Sequence, residues 1–171
     1  EISACLVGSE MCIRDRSAGV LTGGRLTVEA NLAWSRFART VLGTNDIDFR
    51  ARTTSAEEDA FLASQVAGAT LEGSVTYADL QKAGKVVLVD LEPEDECPMI
   101  FLRLRKAWRK MKLPVLTVGS HLSRGSRKLG ATLVPTAPGD EAASLVRLTE
   151  QGTIDEDTVI LVGERAATAP G

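Results

Sequence analysis

Lys85–Ser120 reads KVVLVDLEPEDECPMIFLRLRKAWRKMKLPVLTVGS, and the fold is decided there. Val86, Val87, Leu88 and Val89 form a short, mostly β-branched apolar run. That composition suits a strand buried on both faces, as in parallel sheets. An acidic turn with a proline follows, Glu92-Pro93-Glu94-Asp95-Glu96. Beyond it Ile100, Leu104, Ala107, Trp108 and Met111 recur at steps of three and four, so they share one helical stripe. Arg103, Arg105, Lys106, Arg109, Lys110 and Lys112 take the other faces. Acid ahead of the helix and base along its end both suit the helix dipole. Leu113-Pro114 ends the helix, and Val115 to Val118 make a second apolar strand. Such a strand–helix–strand unit is right-handed, with parallel strands.

Downstream, Gly119–Ser126 is a Gly/Ser loop beyond a strand's C-terminal end, the place where α/β sheets bind ligands. Leu133-Val134 is a short strand, Asp140-Glu141 opens a helix placed at 139–150, and Thr158–Val162 (TVILV) is a third parallel strand. Upstream, Thr27 is an N-cap with Glu29 in the first turn. Ala30, Ala33, Trp34, Phe37, Ala38 and Val41 then make one apolar face, which predicts a helix over 28–42 packed against the rest and stopped at Gly43. Thr44–Thr54 reads as a polar loop. Ser55 and Glu58 form a capping box for a helix running through Phe61, Leu62 and Val66 to Gly68, and Tyr77–Ala83 is a short helix ahead of the first strand. The expected class is α/β, a parallel sheet with flanking helices. A last strand with no covering helix makes the chain read as truncated.

The 171 residues are enough for one domain with a real core. Hydrophobic residues at 44% and charged residues at 25% are ordinary for a soluble globular protein. A net charge of −3 argues against nucleic acid as a partner. The basic stretch from Arg103 to Lys112 reads as the solvated face of an amphipathic helix. No run of 18 apolar residues is present, so no segment is predicted to span a membrane directly. The cysteines, Cys5, Cys12 and Cys97, are odd in number and contain no CxxC, which points to a reducing compartment and no disulfide framework. They are also too few for a cysteine-ligated iron–sulfur cluster, which takes about four thiolates. Residues 1–17, EISACLVGSEMCIRDRS, show no period and have the wrong charge order for a signal peptide. The string CLVGSEMCIRDR resembles translated sequencing-adapter sequence. Residues 1–17 are therefore set apart as an artefactual or disordered leader, leaving 18–171 as the α/β domain.

No nucleophile–base–acid set is legible. His121, the one histidine, lies between Ser120 and Ser123 in a loop, but neighbours in sequence do not make triad geometry. Glu92, Glu94, Asp95 and Glu96 offer oxygen ligands for a hard cation, yet an acidic turn at a helix N-terminus explains them as well. Neither GxGxxG nor a P-loop occurs. Cys97, beside acidic residues, reads as an unreactive structural thiol.

Three segments taken in order add a resemblance. GRLTVEANLAWSRFARTVLGTNDIDFRAR (Gly24–Arg52) resembles the helix and GTN turn of the molybdopterin oxidoreductase superfamily. VVLVDLEPEDECPMIFLRLRKAWRK (Val86–Lys110) resembles its next strand, turn and helix. The pairing of VLGTNDIDFRAR with EPEDECPMIFLRLRKA is similar to the branch formed by the G subunits of bacterial NADH-quinone oxidoreductase (complex I), of the actinobacterial type. The resemblance spans residues 19–171 and implies the Rossmann-like portion of the superfamily fold.

It also implies where a pterin–molybdenum site would lie: the converging loops Thr44–Ser55, Leu91–Glu96 and Gly119–Ser126. The residues there depart from the catalytic pattern. Thr54 stands where relatives carry the metal ligand. Asp90-Leu91-Glu92-Pro93 replaces Gly-x-Asn-Pro, keeping Pro93 but putting a carboxylate, Glu92, near a phosphate-bearing ligand. Ser120-His121-Leu122 replaces Asp-Pro-Arg. These are vestigial positions, and neither a catalytic residue, a metal nor a cofactor is expected in this segment. The resemblance places iron–sulfur clusters in a missing N-terminal part of the subunit. It gives the other peripheral-arm subunits of complex I as partners, and the cytoplasmic face of the plasma membrane as the location, held through the complex. The competing readings are a catalytic molybdopterin oxidoreductase of the formate dehydrogenase or nitrate reductase kind and a stand-alone nucleotide-binding module.

Overall fold

The structure, a computed structural model, describes residues 18–50, 55–68 and 74–168. The chain divides into two compact units, Glu1–Thr53 and Thr54–Gly171. The 1–17 leader lies outside the described residues.

In the second unit the sheet has four parallel strands. They are β3 (Lys85–Val89), β4 (Val115–Gly119), β5 (Thr132–Pro135) and β6 (Thr158–Val162), in the order β5-β4-β3-β6. Val86 pairs with Val115 on one side and Val159 on the other. The strand period of two gives β3 two apolar faces. Val86 and Leu88 join one core with Phe101, Leu104, Ala107 and Leu129. Val87 and Val89 join another with Val118 and Leu148. The helix α4 (Pro98–Met111) supplies the first cover and α6 (Glu141–Glu150) the second. The uninterrupted Val86–Val89 run is thus sealed on both sides, as its composition predicts, and the sheet and both crossover helices are found where the sequence places them.

The buried stripe of α4 differs from expectation by a small rotation. Phe101, Leu104 and Ala107 are buried, Ile100 packs at the margin, and Met111 is exposed. Met111 occupies the last turn, just before Lys112 turns left-handed (φ 56°) and ends the helix. Two short helices lie in segments read as loops: α3 (Pro93–Glu96) in the acidic turn and α5 (Arg124–Lys128) in the Gly/Ser loop. The capping box at Ser55 is present, Ser55 Oγ accepting from the Glu58 amide at 3.1 Å, and opens α2 (Ala56–Phe61), which continues as a π-helical turn, Leu62–Val66. The predicted 77–83 helix is reduced to a 3-10 turn, Asp79–Gln81, whose Leu80 is buried in the first core.

The first unit holds α1 (Val28–Phe37), capped by Thr27 and continued by a π-helical turn, Ala38–Leu42, that ends at left-handed Gly43. It also holds a two-residue parallel pair, β1 (Val20–Leu21) with β2 (Ile47–Asp48), the latter inside the predicted polar loop. Ala38 is buried, but Trp34 is 46% and Val41 67% exposed, and Trp34 and Phe37 rest edge-to-face on each other at 5.7 Å. A two-residue strand pair has too little apolar surface to cover that face.

Candidate functional site

The C-terminal ends of the parallel strands are the place to look for a ligand in this fold. Two of the three predicted loops meet there directly. Glu92 follows β3, and its side chain reaches the start of α5: the Gly125 amide donates to Glu92 Oε1 at 3.1 Å and to Oε2 at 3.2 Å. The Glu94 amide donates to the same Oε1 at 3.0 Å. A Cβ on Gly125 would fall 2.1 Å from Glu92 Oε1, so the carboxylate fills the space a side chain would need. Burial works to raise the Glu92 carboxyl. The amides of Glu94 and Gly125, the Ser123 hydroxyl and the Arg124 charge outweigh it, and the pKa falls below the usual glutamate value.

The neighbouring acids are engaged in the same way. Glu94 accepts from Lys128 Nζ at 2.6 Å and from Arg124 Nε at 3.1 Å, and the Lys128 contact is the main reason its pKa is lowered. Glu96 accepts from the Glu92 amide at 2.7 Å and, across to the segment after β6, from the Glu164 amide at 3.0 Å. Pro93 is buried. The acidic turn therefore staples the loops after β3, β4 and β6 together. Arg124, a basic residue left in the Gly119–Ser126 loop, is committed to Glu94 and Asp95.

Ser120 and His121 are exposed, with Ser120 Oγ 3.0 Å from His121 Nδ1, and no third member completes a relay through hydrogen bonds among the described residues. Leu122 is half-buried. Cys97 is half-buried, and burial, then the charges of Glu96 and Glu92, push its thiol up to about 11, so it stays protonated at neutral pH. Thr54 lies outside the described residues, as do residues 51–53. In the first unit the Thr44 hydroxyl accepts from the Asp46 amide at 3.0 Å and so serves its own turn. Among the described residues no group of three or more His, Cys, Asp or Glu side chains is arranged to hold a metal ion.

A pterin dinucleotide needs free amides and cations for its phosphates. The residues present do not fit that group: the Gly125 amide is taken by Glu92, and Arg124 and Lys128 are taken by Glu94. Sequence reasoning reads these residues as an acidic turn at a helix N-terminus; it does not find the bonds by which Glu92, Glu94 and Glu96 tie that turn to the loops after β4 and β6. The signal for the clamp is Gly125, a glycine placed opposite an acid. The pairing of Asp90 with Glu141 has no such signal. Asp90 is held with a raised pKa by burial, then by a hydrogen bond with Glu141 and that residue's charge, against the pull of Arg165 and His121.

Known proteins share this chain's pattern. The molybdopterin oxidoreductase family matches residues 9–169. The G subunit of the Streptomyces coelicolor NADH-quinone oxidoreductase is 51% identical over 90% of this chain and 21% of its own length. The corresponding G subunits of Mycobacterium bovis and Mycobacterium tuberculosis are each 50% identical over 90% of this chain and 19% of theirs. The chain thus spans about a fifth of the length of the curated relatives it matches.

Proposed function

The chain belongs to the molybdopterin oxidoreductase family, and from that premise we propose that it is a structural segment of the G subunit of an NADH-quinone oxidoreductase in which the pterin site is vestigial. The whole enzyme passes electrons from NADH to quinone. This segment contributes packing and interfaces rather than redox chemistry. The iron–sulfur clusters of the subunit belong to its remainder, and the partners are other subunits of the peripheral arm. No helix among the described residues is long and apolar enough to cross a membrane. The segment reaches the cytoplasmic face of the plasma membrane through the complex.

The observation that carries this reading is the Glu92 carboxylate seated on the Gly125 amide, where an anionic cofactor would need the space. Two anions cannot share one pair of amides at close range without a compensating cation. The substitutions at Ser120, His121 and Leu122 act in the same direction, since they remove the charged group that the catalytic pattern places after β4. Thr54→Ala in the whole subunit tests the reading. NADH–quinone activity of the assembled complex should stay within about twofold of wild type, less than 1 kcal/mol of barrier. Loss of activity in a complex that still assembles would make Thr54 a working ligand.

A further inference from the structure

The two helices that cover the sheet turn different charges to solvent. On α6 the exposed Arg147 and Glu150 are three residues apart and opposite in sign. On α4 every charged side chain is basic. Arg105 lies over the Phe101 ring and Lys112, at the C-cap, over Trp108, each at 5.8 Å. Arg103, Lys106, Arg109 and Lys110 remain, at steps of three and four, in a stripe away from the buried Phe101, Leu104 and Ala107. Lys106, Arg109 and Lys110 are exposed and Arg103 is half-buried. Among the described residues none of the four makes an ion pair or a side-chain hydrogen bond. Met99 and Leu102 stand exposed at the N-terminal end of the same face.

Solvation asks for charge but not for one sign. Like charges three or four residues apart weaken a helix, and acid alternating with base would strengthen it. The helix dipole favours base in the last turn, so it accounts for Arg109 and Lys110 but not for Arg103 and Lys106. A chain of net charge −3 has acid available for this face and places none there. An anionic surface laid against α4 would relieve the repulsion. An extended polyanion fits poorly, because the exposed Asp95, one turn ahead of Met99, repels a nucleic acid or anionic bilayer that runs on past the helix. Methionine and arginine are instead enriched where proteins meet. Charge of one sign also speeds the encounter of partners that diffuse, whereas a segment tethered to the same chain gains nothing from steering.

We propose that the Arg103–Lys106–Arg109–Lys110 stripe of α4, with Met99 and Leu102 at its head, docks an acidic face of another subunit of the complex. The partner presents Asp or Glu side chains at the one-turn spacing of the stripe, beside a small apolar patch for Met99 and Leu102. This rests on the reading of the chain as a segment of a complex subunit.

Lys106→Glu in the whole G subunit tests the surface. It reverses the central charge, yet it puts an acid three residues from Arg103 and Arg109 and four from Lys110, so the free subunit should melt no lower than wild type. Variant and wild-type subunits are co-expressed, and their ratio in the purified NADH-quinone oxidoreductase is compared with the ratio synthesised, by mass spectrometry. Lys106→Glu should be depleted by about tenfold or more, the scale of lost electrostatic steering. Lys106→Gln should be depleted less. Arg25→Glu, an equal charge change on an exposed residue of the first unit, should enter as wild type does. Equal entry of Lys106→Glu would overturn the docking surface and leave the subunit reading intact. A wild-type subunit that never enters the complex would overturn both. Three further results would each overturn the surface alone. Depletion shared by Arg25→Glu would make the effect one of net charge. A lower melting temperature of free Lys106→Glu would assign the stripe to the subunit's own chain. Binding of the free subunit to vesicles of anionic phospholipid, lost in Lys106→Glu, would assign it to a membrane.

Discussion

Leu104 on α4 and Trp34 on α1 occupy equivalent-looking places, each the centre of an apolar stripe on an amphipathic helix. Leu104 is fully sealed between α4 and the sheet, while Trp34 is nearly half exposed. Stripe chemistry does not separate them; the neighbours do. Beneath α4 lie Val86 and Leu88, flanked by paired strands on both sides. Among the described residues of the first unit, the strands beside α1 are the two-residue pair Val20–Leu21 and Ile47–Asp48. An apolar stripe therefore says which face wants cover, not whether this stretch of chain provides it.

The contrast is open to attack by substitution. Leu104→Ala should be the most damaging, costing about 2–5 kcal/mol in urea unfolding, because the site is enclosed and cannot collapse freely. A loss below about 1 kcal/mol would mean that the α4 core is loose. Gly163→Ala should come next. A Cβ there would lie 2.4 Å from the Asp90 carbonyl oxygen and 2.6 Å from Leu91 Cα, main-chain atoms next to Val89, whose carbonyl accepts from the Gly163 amide at 2.9 Å. Overpacking of this kind costs about 1–3 kcal/mol, and a neutral result would show that β6 is free to move away from β3.

Glu92→Gln should cost about 1–2 kcal/mol at neutral pH, since it weakens charge-assisted bonds to two amides. Because the folded Glu92 carboxyl has a lowered pKa, its contribution is present above the ordinary glutamate range and fades as pH falls through the folded value. Stability curves of variant and wild type should converge on acidification, and a constant gap would contradict the electrostatic account. Trp34→Ala should have the smallest effect, within about 0.5 kcal/mol, as for surface positions. A loss as large as that at Leu104 would place an unrecognised core around α1.

These expectations also mark what the sequence could carry. The Val86–Val89 run, the steps of α4 and the TVILV strand depend on local periodicity, and periodicity is written in the chain. The caps at Thr27 and Ser55 are legible for the same reason. The helix α5 is hidden because it is a single turn or so, too short for a period to show. The clamp at Glu92 joins residues 33 apart, so it depends on the assembled sheet bringing two loop ends together. The resemblance points to these acids only as charges facing a ligand; their hydrogen bonds to the chain's own amides become visible once the strand ends are assembled.

The central claim is that the chain's own carboxylates close the site to a pterin–metal cofactor. Elemental analysis of the intact, full-length subunit, purified in its assembled complex, tests it most directly. The account predicts iron in stoichiometric amount, with neither molybdenum nor tungsten approaching one atom per chain. One molybdenum or tungsten per chain, retained through purification, would contradict it.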